Sequence, residues 1–319
     1  MHAAVVRSFA CAPCFEEVPD PAPGPGEVLL EVLAAGLHPR VRSGADGSHY
    51  TSGGRLPMVP GVDGVGRTSD GRLVYFVADD STSGTMAERA AVDGRRCVEL
   101  PIGLDPVVAA AAMNPAMSSW VALRRRIDFT PGQRVLVLGA TGNAGQMAVQ
   151  VAKRLGASEV VAAGRDVGRL ADLSALGADT LISLVGTDDE VAERHTAAAE
   201  VDVVIDYLWG APAELAMSAV LTRRPDRSRP LSWIQIGSVA GPSVDLPSQL
   251  LRSANLTLLG CGQGSVGTAT YLAEFPALLD ELAAGHLQVD ARPIPLADVE
   301  AAWSAPTAPG ERLVLTPTT

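Results

Sequence analysis

Three glycines, Gly139, Gly142 and Gly145, stand where spacing alone specifies a chemistry in this 319-residue chain. They follow a run of β-formers at 135–138. They precede a segment, 143–155, whose Ala144, Met147, Ala148, Val151, Ala152 and Leu155 share one helical face. Strand, tight turn and helix in that order put glycine where a backbone must approach a pyrophosphate. The helix behind offers free N–H groups and a positive dipole end. A glycine triad alone is weak, and the flanking strand and helix are the context it requires. The segment predicts dinucleotide binding through Gly139, Thr141, Gly142, Asn143 and Ala144.

Which dinucleotide is read at the end of the next strand, 159–163. NAD-binding folds carry an acid roughly 20 positions past the motif, accepting from the ribose hydroxyls. Here the chain reads Ala163-Gly164-Arg165-Asp166. Gly164 leaves room, Arg165 offers a planar fork for a 2′-phosphate, and Arg169 follows one turn on. Asp166 lies one residue late for an NAD reader and could still face the ribose. The balance favours NADPH. Gly237 and Ser238 close a later strand at its C-terminal end, where open α/β sheets place ligands.

These residues need a scaffold, and the pattern supplies one. The first hundred residues read as short strands at 3–8, 28–34, 73–76 and 87–92, divided by Gly and Pro, with no useful helix among them. That predicts a barrel-like or sandwich β domain. From 106 to 126 the chain is Ala-rich and helix-like, with Pro115 expected to kink or divide it. Strands (135–138, 159–163, 180–183, 202–207, 232–236, 256–259) then alternate with helices (143–155, 167–176, 213–221, 248–253), which predicts a parallel sheet covered on both faces. A helix at 271–284 precedes a tail with strands at 292–294 and 312–315 around a short helix at 298–303. That tail is expected to rejoin the first domain. The expected boundaries are 1–111, 112–263 and 264–319.

Composition narrows the class. Hydrophobic residues are 47% and charged residues 19%, which fits a globular chain. A net charge of −11 disfavours nucleic acid and anionic membranes as partners. No uninterrupted apolar run reaches membrane-span length, and the start lacks the apolar region of a signal peptide. The expectation is a cytoplasmic protein. Cys11, Cys14, Cys97 and Cys261 make no disulfide framework in a chain this long. The Cys11/Cys14 pair has no second pair at zinc spacing.

Six motifs in order then carry a resemblance over nearly the whole chain: Gly36-Leu-His-Pro39, Val59-Pro-Gly-Val-Asp-Gly-Val-Gly66, Gly139-Ala-Thr-Gly-Asn-Ala-Gly145, Leu176-Gly-Ala-Asp179, Asp202-Val-Val-Ile-Asp206 and Ile234-Gln-Ile-Gly-Ser238. The chain resembles the medium-chain dehydrogenase/reductase superfamily, in particular its zinc-independent quinone oxidoreductase branch, which also includes enone and enoyl-thioester reductases. The implied fold class is α/β: a GroES-like β-rich catalytic domain plus an inserted Rossmann-like, doubly wound parallel sheet domain. Zinc members carry a cysteine shortly after the glycine near position 36, and Gly-His-Glu where this chain has Gly61-Val62-Asp63. Both ligands are missing here, and His38 alone does not make a catalytic zinc set. The resemblance therefore implies metal-free hydride transfer to a quinone or an activated C=C bond, whose conjugation spreads the developing charge.

The resemblance also names residues. Tyr50 stands ten residues before Pro60, the spacing of a tyrosine near the acceptor in enoyl-thioester reductases, where a phenol can steady a developing enolate. His38 takes the place of a family asparagine, to bond the nicotinamide ribose or serve as a donor to substrate. Ser118 falls on a family threonine that contacts the cofactor, while Asn114 departs from the usual pattern at the cofactor's nicotinamide end. Gly262, within Gly260-Cys-Gly-Gln-Gly264, resembles a backbone contact to nicotinamide. A homodimer through the strand at 256–259 is implied. Other readings are a natural-product tailoring reductase or reductive cyclase, and a non-catalytic NADPH-binding protein.

Overall fold

The computed structural model describes residues 1–79, 83–308 and 310–317. The chain forms two compact units, Met1–Asn114 with Leu272–Thr319, and Pro115–Tyr271. Composition placed the divisions at 111/112 and 263/264. They fall later because both lie inside helices, where packing, not residue type, changes partner.

In the first unit β1 (His2–Val5) pairs antiparallel with β2 (Cys14–Glu17). β3 (Glu27–Leu37) leads into α1 (Pro39–Ala45), followed by β4 (Asp63–Arg67), β5 (Leu73–Val77), β6 (Arg89–Asp93), β7 (Cys97–Glu99) and α2 (Pro106–Val121). The helix α1 corrects the expectation of an all-strand segment. It is seven residues long, too short for a periodic signal, and Pro39 opens it where a missing N–H costs nothing. β4 was also missed, because Gly64 and Gly66 depress strand propensity. They are needed: a Cβ on Gly64 would sit 2.6 Å from the Ala34 carbonyl oxygen. α2 is not divided at Pro115. It runs on to Val121 and ends in a π-helical turn, Ala122–Arg126. Residues 106–126 are apolar and long enough to cross a membrane by composition, and most of that stretch is buried within the protein.

The second unit carries β8 (Arg134–Leu138), α3 (Asn143–Arg154), β9 (Glu159–Gly164), α4 (Val167–Asp172), β10 (Thr180–Ser183), α5 (Asp188–Arg194), β11 (Val203–Asp206), α6 (Gly210–Arg223), β12 (Leu231–Gln235), α7 (Ser248–Ser253) and β13 (Leu256–Gly260). The six strands are parallel in the order β10-β9-β8-β11-β12-β13. Leu136, Leu138, Val161, Val204 and Trp233 form the core of that sheet with Met217 and Val220 of α6. α5 went unread, although Thr187 and Glu190 form a capping box before it.

After α8 (Thr268–Ala283), the chain adds β14 (Asp290–Pro295), α9 (Val299–Ser304) and β15 (Glu311–Thr316). Among the described residues the main sheet of the first unit runs β14-β15-β3-β4-β5-β7, with β6 also on β3. β15 pairs antiparallel with the end of β3, Leu313 opposite Leu37 and Val314 opposite Gly36.

Candidate active site

The strand order of the second unit reverses between β8 and β11, so the crevice of a doubly wound sheet opens at their C-terminal ends. The glycine turn lies there. Gly139 has φ +85°, which favours glycine, and the Ala163 carbonyl accepts from both Gly139 and Ala140 N–H. Gly142 N–H donates to the Gly139 carbonyl, and Gly142 is the N-cap of α3. A Cβ on Gly145 would lie 2.2 Å from the Gly139 oxygen and 2.6 Å from Ala140 Cα. Only a hydrogen fits, so α3 lies tight against the turn with its first N–H groups, those of Asn143 and Ala144, at the crevice.

At the end of β9, Gly164 packs against the glycine turn. A Cβ there would meet the Thr141 methyl at 2.5 Å, so the glycine makes room for Thr141 and holds the turn against β9. Asp166 is already engaged: its carboxylate caps α4 by accepting from Arg169 N–H at 3.1 Å. Arg165 is exposed and lines a cavity of about 530 Å³ together with Leu184, Leu208, Met217, Leu246 and Leu250. Arg169 is half-buried, and its Nε and Nη2 have no hydrogen-bond partner among the described residues. Burial pulls its pKa down, against Asp166 and Asp172. Apolar walls, a glycine turn closed to side chains at Gly145 and a guanidinium with spare donors fit a phosphorylated dinucleotide.

β11 ends in Asp206, fully buried, which accepts from Leu208 N–H, Trp209 N–H and Trp233 Nε1–H at 2.8–3.0 Å. Burial pushes its pKa up. These bonds hold Trp209 at φ 53°, ψ −168°, a backbone region that side chains rarely adopt. Tyr207 donates its hydroxyl to Ser118 Oγ at 2.8 Å, while Ser118 donates to the Pro115 carbonyl. Burial lifts the Tyr207 phenol well above its ordinary value, so it remains a donor. Gly237 lets β12 approach Tyr207, whose carbonyl oxygen would lie 2.7 Å from a Cβ there. Ser238 is exposed beside it. Gly262 sits in a tight turn, donating to Ser265 Oγ and accepting from Ser265 N–H. Asn114 is half-buried on α2, one turn before Ser118.

The first unit holds a separate polar cluster. His38 caps α1, accepting from Val41 and Arg42 N–H through its carbonyl. Its ring, 2% exposed, places Nε2 3.0 Å from Asp63 Oδ1, and Tyr75 donates its hydroxyl to Asp63 Oδ2 at 2.8 Å. Thr85 Oγ1 donates to the Asp63 carbonyl. Buried Arg312 donates to the Leu37 carbonyl at 3.4 Å, and burial pulls its pKa down to about 10. Burial likewise pulls His38 below 6.5, against the opposing effect of Asp63. Tyr50 is 70% exposed and lies against His49, ring centroids 4.3 Å apart. Its loop is anchored, since Arg40 donates to Thr51 and His49 N–H donates to the Ser43 carbonyl. Asp63, Tyr75 and Arg312 were missed by sequence reading. The signal was an ionisable residue inside an apolar strand, visible at Arg312 and in the glycine-rich segment around Asp63. Among the described residues no three His, Cys, Asp or Glu side chains gather closely enough to hold a metal.

Comparison with known proteins agrees with this arrangement. A family model described as zinc-binding dehydrogenase matches residues 144–284. The chain is 31% identical to a probable NADPH-dependent quinone reductase of Emericella nidulans, over 99% of this chain and 100% of that one. It is 28% identical to a trans-enoyl reductase of Aspergillus terreus, over 68% of this chain and 63% of that one. The solved quinone oxidoreductase of Thermus thermophilus, also determined with NADPH, matches with a TM-score of 0.82 at 29% identity, covering 99% and 100% of the two chains.

Proposed function

The chain belongs to the zinc-independent quinone oxidoreductase branch of the medium-chain dehydrogenase/reductase superfamily, and we propose that its acceptor is a small quinone. It is an NADPH-dependent reductase of a quinone or an activated C=C bond. The observation that carries this is the glycine cradle, closed to any side chain at Gly145, with Arg165 and Arg169 following β9. When bound, NADPH supplies the hydride. The protein's part is to bind and orient. The turn at Gly139–Gly145 receives the pyrophosphate, Arg165 and Arg169 bind the 2′-phosphate, and Ser118 and Tyr207 fix the end of β11 beside the crevice.

A conjugated acceptor needs no Lewis acid, and His38 and Asp63, in the segments where zinc members carry their ligands, do not make a zinc ligand set. Tyr50 is the proposed donor to the acceptor oxygen as charge develops on it. Two further parts belong to the reading. The exposed Leu258 on the edge strand β13 suits pairing with a second copy, giving a homodimer. Four free cysteines suit a reducing cytoplasm. The test is NADPH oxidation with a panel of quinones and enones. No turnover with any acceptor, or turnover with NADH alone, refutes the proposal. A monomer by light scattering refutes the dimer.

A further inference from the structure

The two halves of the cofactor fall on the two halves of the parallel sheet. The glycine turn follows β8 and Arg169 follows β9, so the adenosine end lies over β8–β10. A doubly wound sheet binds a dinucleotide across the point where its strand order reverses, which puts the nicotinamide end over β11–β13. The segments after β11 and β12 are braced by the bonds to Asp206 and by the packing of Gly237 on Tyr207. The loop after β13 leaves an edge strand, whose only strand neighbour among the described residues is β12.

Cys261 is buried, and its N–H donates to the Gln235 carbonyl of β12 at 2.9 Å. Across a trans peptide the carbonyl points opposite to the N–H, so the Gly260 oxygen faces the open edge of the sheet. Arg126 takes it. Its Nε donates to the Gly260 oxygen at 2.9 Å, and Nη1 reaches the Ser265 oxygen at 3.5 Å. One guanidinium thus ties both ends of the loop 260–265. Between them Gly262 N–H donates to Ser265 Oγ at 2.8 Å, and Ser265 N–H donates to the Gly262 carbonyl at 3.0 Å. Arg126 arrives there through an irregular helix end. α2 closes in the π-helical turn Ala122–Arg126, a rare geometry that is frequent at functional sites. Arg124 lies over the Trp120 ring, 4.9 Å from its centroid, whereas Arg126 turns to the loop.

We propose that Arg126 is a positioning residue for the nicotinamide, standing in for a missing strand at the sheet edge and holding the loop 260–265 where the carboxamide of the cofactor meets it. A carboxamide presents a donor and an acceptor at fixed spacing, and backbone groups match both at little entropic cost only when their loop is already held. The proposal rests on the reading of Gly262 as part of a nicotinamide contact, and it adds the side chain that prepares that contact.

Isothermal titration with two ligands tests it: NADPH, and adenosine 2′,5′-bisphosphate, which lacks the nicotinamide half. In Arg126→Ala, NADPH should bind about tenfold more weakly, the lower end for a bond from a charged donor because this one is half-exposed. The bisphosphate should bind as it does to the wild type. Arg126→Lys keeps a cationic donor near the Gly260 carbonyl and should recover part of the gap. Amide exchange at Gly262 and Ser265, read by NMR without cofactor, should quicken in Arg126→Ala. In the wild type the amide signals of 260–265 should shift with NADPH and stay in place with the bisphosphate. Equal losses for both ligands, or no loss for either, overturns the role of Arg126. Wild-type signals that ignore NADPH refute the nicotinamide contact, and the proposal with it. Signals that move with NADPH, in a protein whose Arg126→Ala variant neither loosens the loop nor weakens NADPH, leave the contact standing and overturn the clamp.

Discussion

Arg169 should matter more to NADPH than Arg165, although Arg165 is the residue whose place after β9 draws attention. Both are expected to pair with the 2′-phosphate, and a charge-assisted hydrogen bond is worth about 1.5–3 kcal/mol. They differ in what binding must still supply. Arg165 is exposed, so it must give up about 2 kcal/mol of side-chain freedom to hold one pose, and salt screens it. Arg169 is already half-buried, with Nε and Nη2 shielded from water and unpartnered among the described residues. Its desolvation has occurred on folding. Arg169→Ala should therefore weaken NADPH binding by the full ~1.5–3 kcal/mol, roughly ten- to a hundredfold at 1.4 kcal/mol per decade. Arg165→Ala should cost only about two- to fivefold, and less at high salt. NADH binding should barely move in either variant. Isothermal titration with both cofactors at two salt concentrations is the assay. Equal losses for NADPH and NADH in Arg169→Ala would refute the argument, as would a larger loss at Arg165.

Gly145→Ala places a methyl 2.2 Å from the Gly139 oxygen, so α3 must move off the turn. The expected outcome is loss of about 3 kcal/mol of stability or of detectable NADPH binding, seen by thermal shift with and without cofactor. Tyr50→Phe should lower kcat on an enone by 10²–10³-fold with NADPH affinity kept; unchanged kcat on every acceptor would make Tyr50 a wall residue. Burial holds His38 and His195 below 6.5, so the unfolded chain gains protons first as the pH falls. Urea midpoints should thus decline from pH 6.5 downward, less steeply in His195→Gln, and a rise on acidification contradicts this. Activity should survive chelation, and metal analysis finding about one zinc per chain would overturn the metal-free reading.

The dinucleotide half of the site was legible because its residues are neighbours in sequence. Gly139 to Gly145 follow one strand and open one helix, and Arg165 and Arg169 lie within one turn of each other. The packing of Gly164 on Thr141 was not legible, because Thr141 comes from another strand's turn. The cluster around His38 was illegible for the same reason on a larger scale. Asp63 comes from β4, Tyr75 from β5 and Arg312 from β15, and nothing local in any of them points at the others. Short elements were lost to weak signals, as with α1, or to glycines needed for close packing, as in β4.

The pairing of β15 with β3 sets an order on the birth of the protein. Leu313 and Leu37 are joined across some 276 residues, and closing so long a loop makes that contact late on any folding route. The second unit is contiguous, and its strands can pair while synthesis continues. The C-terminal end of β3, with His38 one residue beyond it, lacks its neighbouring strand until β15 emerges from the ribosome. A nascent chain would thus acquire a nucleotide-holding domain well before it could react.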